Sequence, residues 1–220
     1  MYPAGNLFVP ASHGNLEAIL KEPRGTDVRG VALVLHPHPL GGGTMHNKVV
    51  FRAAAALNDA RLVTLRLNFR GVGQSAGTHD DGRGELDDVR AGLDYLSTHY
   101  PNHTITLAGF SFGAWVGLRV GIPDQRVVRL ISIGTPAQKY DFDFLTECRK
   151  PILFVHGDRD EFGSAESLKK LVGRLPAEAK ARLEIISNAG HFFEGRLDEL
   201  KRAITDWIVG QIGAQTASAP

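Results

Sequence analysis

With one cysteine in 220 residues, Cys148, the chain has no internal disulfide, which fits a reducing compartment. Excess charge is missing too, since 25 Lys plus Arg stand against 24 Asp plus Glu. No surplus of either sign is available to draw nucleic acid or an acidic membrane as partner. Long apolar stretches are absent: runs such as VALVL at 31–35 are far too brief to span a bilayer. The opening MYPAGNLFVP lacks the basic start and apolar core of a secretory signal. No unit repeats along the chain and no segment is low in complexity. These absences predict a soluble, cytoplasmic, globular protein. The length suits one domain over residues 1–213, with the small polar end of GAQTASAP leaving 214–220 as a flexible tail.

What is present is alternation. The segments NLFVP and NLEAIL flank the turn-rich ASHGN and predict a hairpin. Compact apolar or β-branched runs follow: VALVLH, LVTLRLN, TITLAGF, VVRLISIG, PILFVHG and LEIISN. Between and after them lie segments of helical periodicity, from NKVVFRAAAALNDA to LDELKRAITDWIVGQI. Short runs this apolar read as strands buried on both faces, and parallel strands need crossover helices. The pattern therefore predicts an α/β fold, a mostly parallel sheet of about eight strands with helices on both faces. Reactive groups in such sheets gather beyond the carboxyl ends of the strands.

LAGFSFGAW, residues 107–115, meets that condition. It places Ser111 between Gly109 and Gly113 where TITLAGF gives way to the helical FGAWVGLRV. A hydroxyl is a weak nucleophile and needs a neighbouring base with an orienting partner. His191 follows the last strand in SNAGHFF, and Asp158 and Asp160 follow another in PILFVHGDRDEFG. The order Ser, Asp, His, each in a separate post-strand loop, is that of the nucleophile-elbow hydrolases. An oxyanion would meet the backbone N–H of Phe112 at the helix start, where the helix dipole also favours negative charge. A second donor is expected from the loop after VALVLH. Pro37 and Pro39 have no N–H, which leaves His38 and Leu40, with His38 favoured.

With these features the chain resembles the serine α/β-hydrolases, specifically the small members without a cap. LHPHPLGGGTMHNK resembles the family's oxyanion loop, although it reads His-Pro where His-Gly is commoner. LNFRGVGQSAG resembles the segment after the next strand, GFSFG the elbow, and HGDRD and GHFF the acid and histidine loops. The resemblance implies Asp160 as the triad acid and Asp158 as a turn former. It also implies that the stretch of about 17 residues from Gly134 to Lys150, where capped members commonly carry their insertion, is too short for a lid and makes only a short helix at YDFDFLTEC.

Two other motifs carry less. GVGQSA at 71–76 fits a dinucleotide fingerprint, yet GTHDDGRGE separates it from the next helix, whereas a fingerprint must open one. His36, His38 and His46 have no carboxylate at metal-site spacing. The expected function is hydrolysis of small carboxylic esters through Ser111, His191 and Asp160, with no metal or cofactor and a small acyl compound as partner. The same machinery serves thioesters, amides or acyl transfer, and a dead triad would leave a ligand-binding protein. Phe142, Phe144 and Phe162 are candidates for an apolar rim or for ordinary core.

Overall fold

The structure, a computed structural model, describes residues 5–25 and 27–217. The hairpin forms from β1 (Gly5–Ala11) and β2 (Gly14–Lys21), joined by a tight turn in which Gly14 takes the positive φ of 132°. The apolar runs become β3 (Gly30–Leu35), β4 (Leu62–Leu67), β5 (Ile105–Phe110), β6 (Val127–Ile133), β7 (Ile152–Gly157) and β8 (Arg182–Ile186). They make one eight-stranded sheet in the order β1-β2-β4-β3-β5-β6-β7-β8. Only β2 runs against its neighbours; every pairing from β4 to β8 across the sheet is parallel.

Five helices supply the crossovers and the last cover: α1 (Lys48–Asp59), α2 (Glu85–His99), α3 (Phe112–Gly121), α4 (Ala165–Val172) and α5 (Leu197–Ala217). Asn47 starts α1 by accepting the Val49 N–H on its side chain, an N-cap that satisfies one of the helix's orphan donors. Side chains alternate across the sheet. Val31, Leu33 and Leu35 of β3 enter one apolar layer with residues of α2 and α3. Ala32 and Val34 enter the other with α1 and α5. Burial on both faces is why these strands read as unbroken apolar runs.

The last helix is described as far as Ala217, and its Ile212 is buried. Residues 218–220 lie outside the described residues. One expectation, the short helix between β6 and β7, needs correction. The stretch between β6 and β7 makes only a 3-10 turn, Asp143–Glu147, whose first N–H is taken by the Asp141 carboxylate.

The site is positioned at one point in this topology. From β3 the chain crosses to β4 on one side, while β5 pairs with β3 on the other, so a crevice opens at the carboxyl ends of β3 and β5. There α3 packs its first turn directly on the end of β3. A Cβ on Gly113 would stand 2.5 Å from the His36 carbonyl oxygen and 2.9 Å from the Leu35 carbonyl carbon. Backbone cannot swing aside as a side chain can. Gly113→Ala is therefore expected to destabilise the protein by about 1–3 kcal/mol, as overpacking does. Urea unfolding measures this, and a variant as stable as the parent would mean that the contact is loose.

Candidate active site

Ser111 sits between β5 and α3 with φ 55° and ψ −117°, outside the helical and strand regions. Such a conformation costs about 1–3 kcal/mol and persists only where the surroundings fix it. Here Ser111 donates its N–H to the Ile133 carbonyl (2.9 Å), and its own carbonyl accepts from Ala114 and Trp115 at the start of α3. A side chain on Gly109 would run into the Gly113 carbonyl. The glycines flanking Ser111 thus admit the turn that lifts its hydroxyl.

The loop after β8 brings His191 to it. The Ser111 hydroxyl lies 2.9 Å from His191 Nε2, and Asp160 Oδ2 lies 2.8 Å from His191 Nδ1. With Asp160 as carboxylate, Nδ1 carries the ring proton and donates it to Asp160, so the Nε2 lone pair faces the serine. The ring is seated between Phe110 and Phe162, at centroid distances of 4.9 and 4.5 Å. Asp160 is buried, and its other oxygen accepts the Phe162 N–H at 2.9 Å. Behind it His156 donates Nε2–H to the Gly163 carbonyl, with Nδ1 3.7 Å from Asp160 Oδ2. Asp158 lies exposed and accepts the Ala189 N–H, shaping the turn that leads to His191. Glu161, which sequence reasoning passed over, accepts the His191 N–H at 3.3 Å.

The loop after β3 forms the facing wall. His36 is fully buried and uses both ring nitrogens: Nδ1–H donates to the Pro37 carbonyl at 2.6 Å, and Nε2 accepts the Phe69 N–H at 3.0 Å. His38 Nδ1 accepts the Leu40 N–H at 3.2 Å. That bond occupies the alternative oxyanion donor. His46 is exposed. The segment 71–76 is a set of turns, and α2 begins only at Glu85. Beneath the two loops Asn68 ties them together, accepting the Met45 N–H and donating to the buried Glu17 carboxylate.

Ser111 and His191 open into a cavity of about 340 Å³ that Lys139, Tyr140 and Phe192 also line. Of the three aromatic candidates, only Phe162 lines this cavity; Phe142 is buried in the core with Phe144 packed against it. No sequence signal singled out Lys139 and Tyr140 within their connection. Phe192 could have been found from its place beside His191.

Burial lowers the His36 pKa from 6.5 to about 4, against the opposing pull of its bond to the Pro37 carbonyl. The unfolded chain therefore binds a proton near pH 6.5 that the folded chain refuses. The neutral ring's contribution is fully present above 6.5 and is lost as pH falls toward 4. We expect the wild type to lose about 2–3 kcal/mol more than His36→Gln between pH 7 and pH 4.5. Denaturant unfolding at the two pH values measures this; equal losses would show that the ring accepts its proton in place.

Comparison with known proteins agrees with the geometry. Residues 30–204 match the family model described as an alpha/beta hydrolase domain. An uncharacterized protein of Rickettsia prowazekii (strain Madrid E) is 42% identical over 186 residues, covering 81% of this chain and 78% of that protein. An alpha-beta serine hydrolase homologue from Coxiella burnetii superposes with a TM-score of 0.88 at 39% identity, covering 94% of this chain and 98% of the other. A serine hydrolase without lid from Xanthomonas campestris gives a TM-score of 0.85 at 35% identity, with 94% of each chain covered. The chain belongs to the α/β hydrolase family, among its small serine hydrolases without a cap.

Proposed function

We propose that the protein hydrolyses small carboxylic esters through an acyl-enzyme on Ser111. The observation that carries this reading is the unbroken hydrogen-bonded chain from Ser111 through His191 to Asp160, its serine end open to the cavity. Ser111 Oγ attacks the ester carbonyl while its proton passes to His191 Nε2. The imidazolium formed is stabilised by the Asp160 carboxylate, which also keeps the ring in the one useful tautomer.

The carbonyl oxygen gains negative charge in the tetrahedral intermediate. The backbone N–H groups of Phe112 and His38 receive it, each worth about 10²–10³ in turnover. When the intermediate collapses, the C–O bond to the alcohol breaks and His191 returns the proton to the departing oxygen. Water then gives a proton to His191 and attacks the acyl carbon. A second collapse frees the acid and restores the Ser111 hydroxyl. Every proton moves between substrate, water and these side chains, so the cycle closes without a cofactor.

Ser111→Ala is expected to lower turnover of a 4-nitrophenyl butyrate substrate by about 10⁴-fold or more, with the unfolding midpoint little changed. A fluorophosphonate should add once to the wild type, at Ser111, and not to the variant. An active variant would remove the proposal. Asp160→Asn should cost about 10⁴-fold, because the ring loses its tautomer. Asp158→Asn should cost only a few-fold, and the reverse ranking would exchange the roles of the two acids.

A further inference from the structure

The cavity at Ser111 is asymmetric in charge. Among the described residues no Asp or Glu side chain lines it, whereas Lys139 does. The Lys139 ammonium makes no hydrogen bond and no ion pair among the described residues, although the backbone N–H of the residue donates to the Pro136 carbonyl. Its ammonium lies over two rings instead, 5.8 Å from the centroid of Tyr140 and 5.6 Å from that of Phe162. A cation resting on aromatic faces is oriented by them and has donors to spare, because the rings take none of its three N–H bonds.

His38 adds a second donor. Its Nδ1 accepts the Leu40 N–H, so in the neutral ring Nε2 carries the proton, and among the described residues Nε2 has no partner. The two groups are neighbours: the Lys139 charge is one of the influences that lower the His38 pKa, after burial and the charge of His79. Asp81 and Glu85 act on His38 in the opposite direction. Neither lines the cavity, however, and the Glu85 carboxylate is occupied by His79 and by the Asp80 and Gly82 N–H groups.

We infer that this site takes esters bearing a carboxylate, such as monoesters of dicarboxylic acids, with Lys139 and His38 binding the anionic group. The inference rests on the esterase reading and refines it by substrate class. Phe162, which carries the Lys139 ammonium, also packs against the His191 ring at 4.5 Å, so the anion pole stands one ring away from the base. An ester of ordinary reach can therefore present its carbonyl to Ser111 and its carboxylate to Lys139 together. The contact forms in the ground state and persists in the transition state, so it acts on KM more than on kcat.

The test compares three esters on the wild type, Lys139→Gln and Lys139→Arg. They are neutral 4-nitrophenyl butyrate, 4-nitrophenyl hemiglutarate with the charge on the acyl side, and butyryl 4-hydroxybenzoate with it on the alcohol side. For at least one charged ester, the ratio of its kcat/KM to that of the neutral ester should fall about fivefold in Lys139→Gln, mostly through KM. Lys139→Arg should restore the ratio, and the wild-type ratio should shrink as salt rises. The charged ester that responds tells which side of the scissile bond meets the cation. If Lys139→Gln leaves both ratios within twofold while the neutral ester is turned over, the inference is overturned and the esterase reading stands. If the wild type hydrolyses none of the three and takes no fluorophosphonate, the esterase reading fails and the inference falls with it.

Discussion

The contact that the site depends on is backbone against backbone, where the first turn of α3 lies on the end of β3 with only Gly113 between them. Ser111 can take its left-handed φ because the strand before it and the helix after it are both fixed by such contacts. The same approach sets the Phe112 N–H and the loop carrying His38 along one crevice. His36 extends the arrangement: its carbonyl faces Gly113, while its ring accepts the Phe69 N–H from the loop after β4. Three loops are thereby held together at the crevice by backbone contact and by a buried ring bonded at both nitrogens.

Below the crevice lies a frame of buried carboxylates with their partners in place. Glu17 accepts from Asn68 and from the Gln74 N–H. Asp88 takes the Arg70 guanidinium on both oxygens as well as the Arg70 N–H. Glu85 has the three donors described above. Burying a carboxylate is costly unless its lone pairs are met, so each of these fixes a loop in a single shape. His79, bonded to Glu85, in turn packs against both His38 and Phe112. The loop carrying His38 and the start of α3 are thus backed by a second layer of polar groups.

Much of this was legible in the sequence, for definite reasons. Strands buried on both faces leave unbroken apolar runs, so β3 to β7 could be read directly, as could the helices whose apolar residues recur on one face. Ser111 and His191 were legible because the turns that carry them need glycine or follow a strand at once. Asp158 and Asp160 were harder to separate, since both follow β7 and both accept backbone N–H groups; only the fold shows that Asp160 turns inward to the imidazole. Lys139 and Tyr140 were not legible at all. They sit in an irregular connection, and nothing periodic tells which of its side chains face the cavity.

The brevity of the connection from β6 to β7 has a kinetic consequence. Between Ile133 and Ile152 it holds one 3-10 turn and nothing that could fold over the crevice. Under the proposed chemistry, substrate reaches Ser111 straight from water and the products leave by the same mouth. This connection then supplies no lid that must open first, and no latch for an oil–water boundary to release. Such a site should be as active on dissolved monomers as on dispersed droplets, and its selectivity must come from the pocket walls.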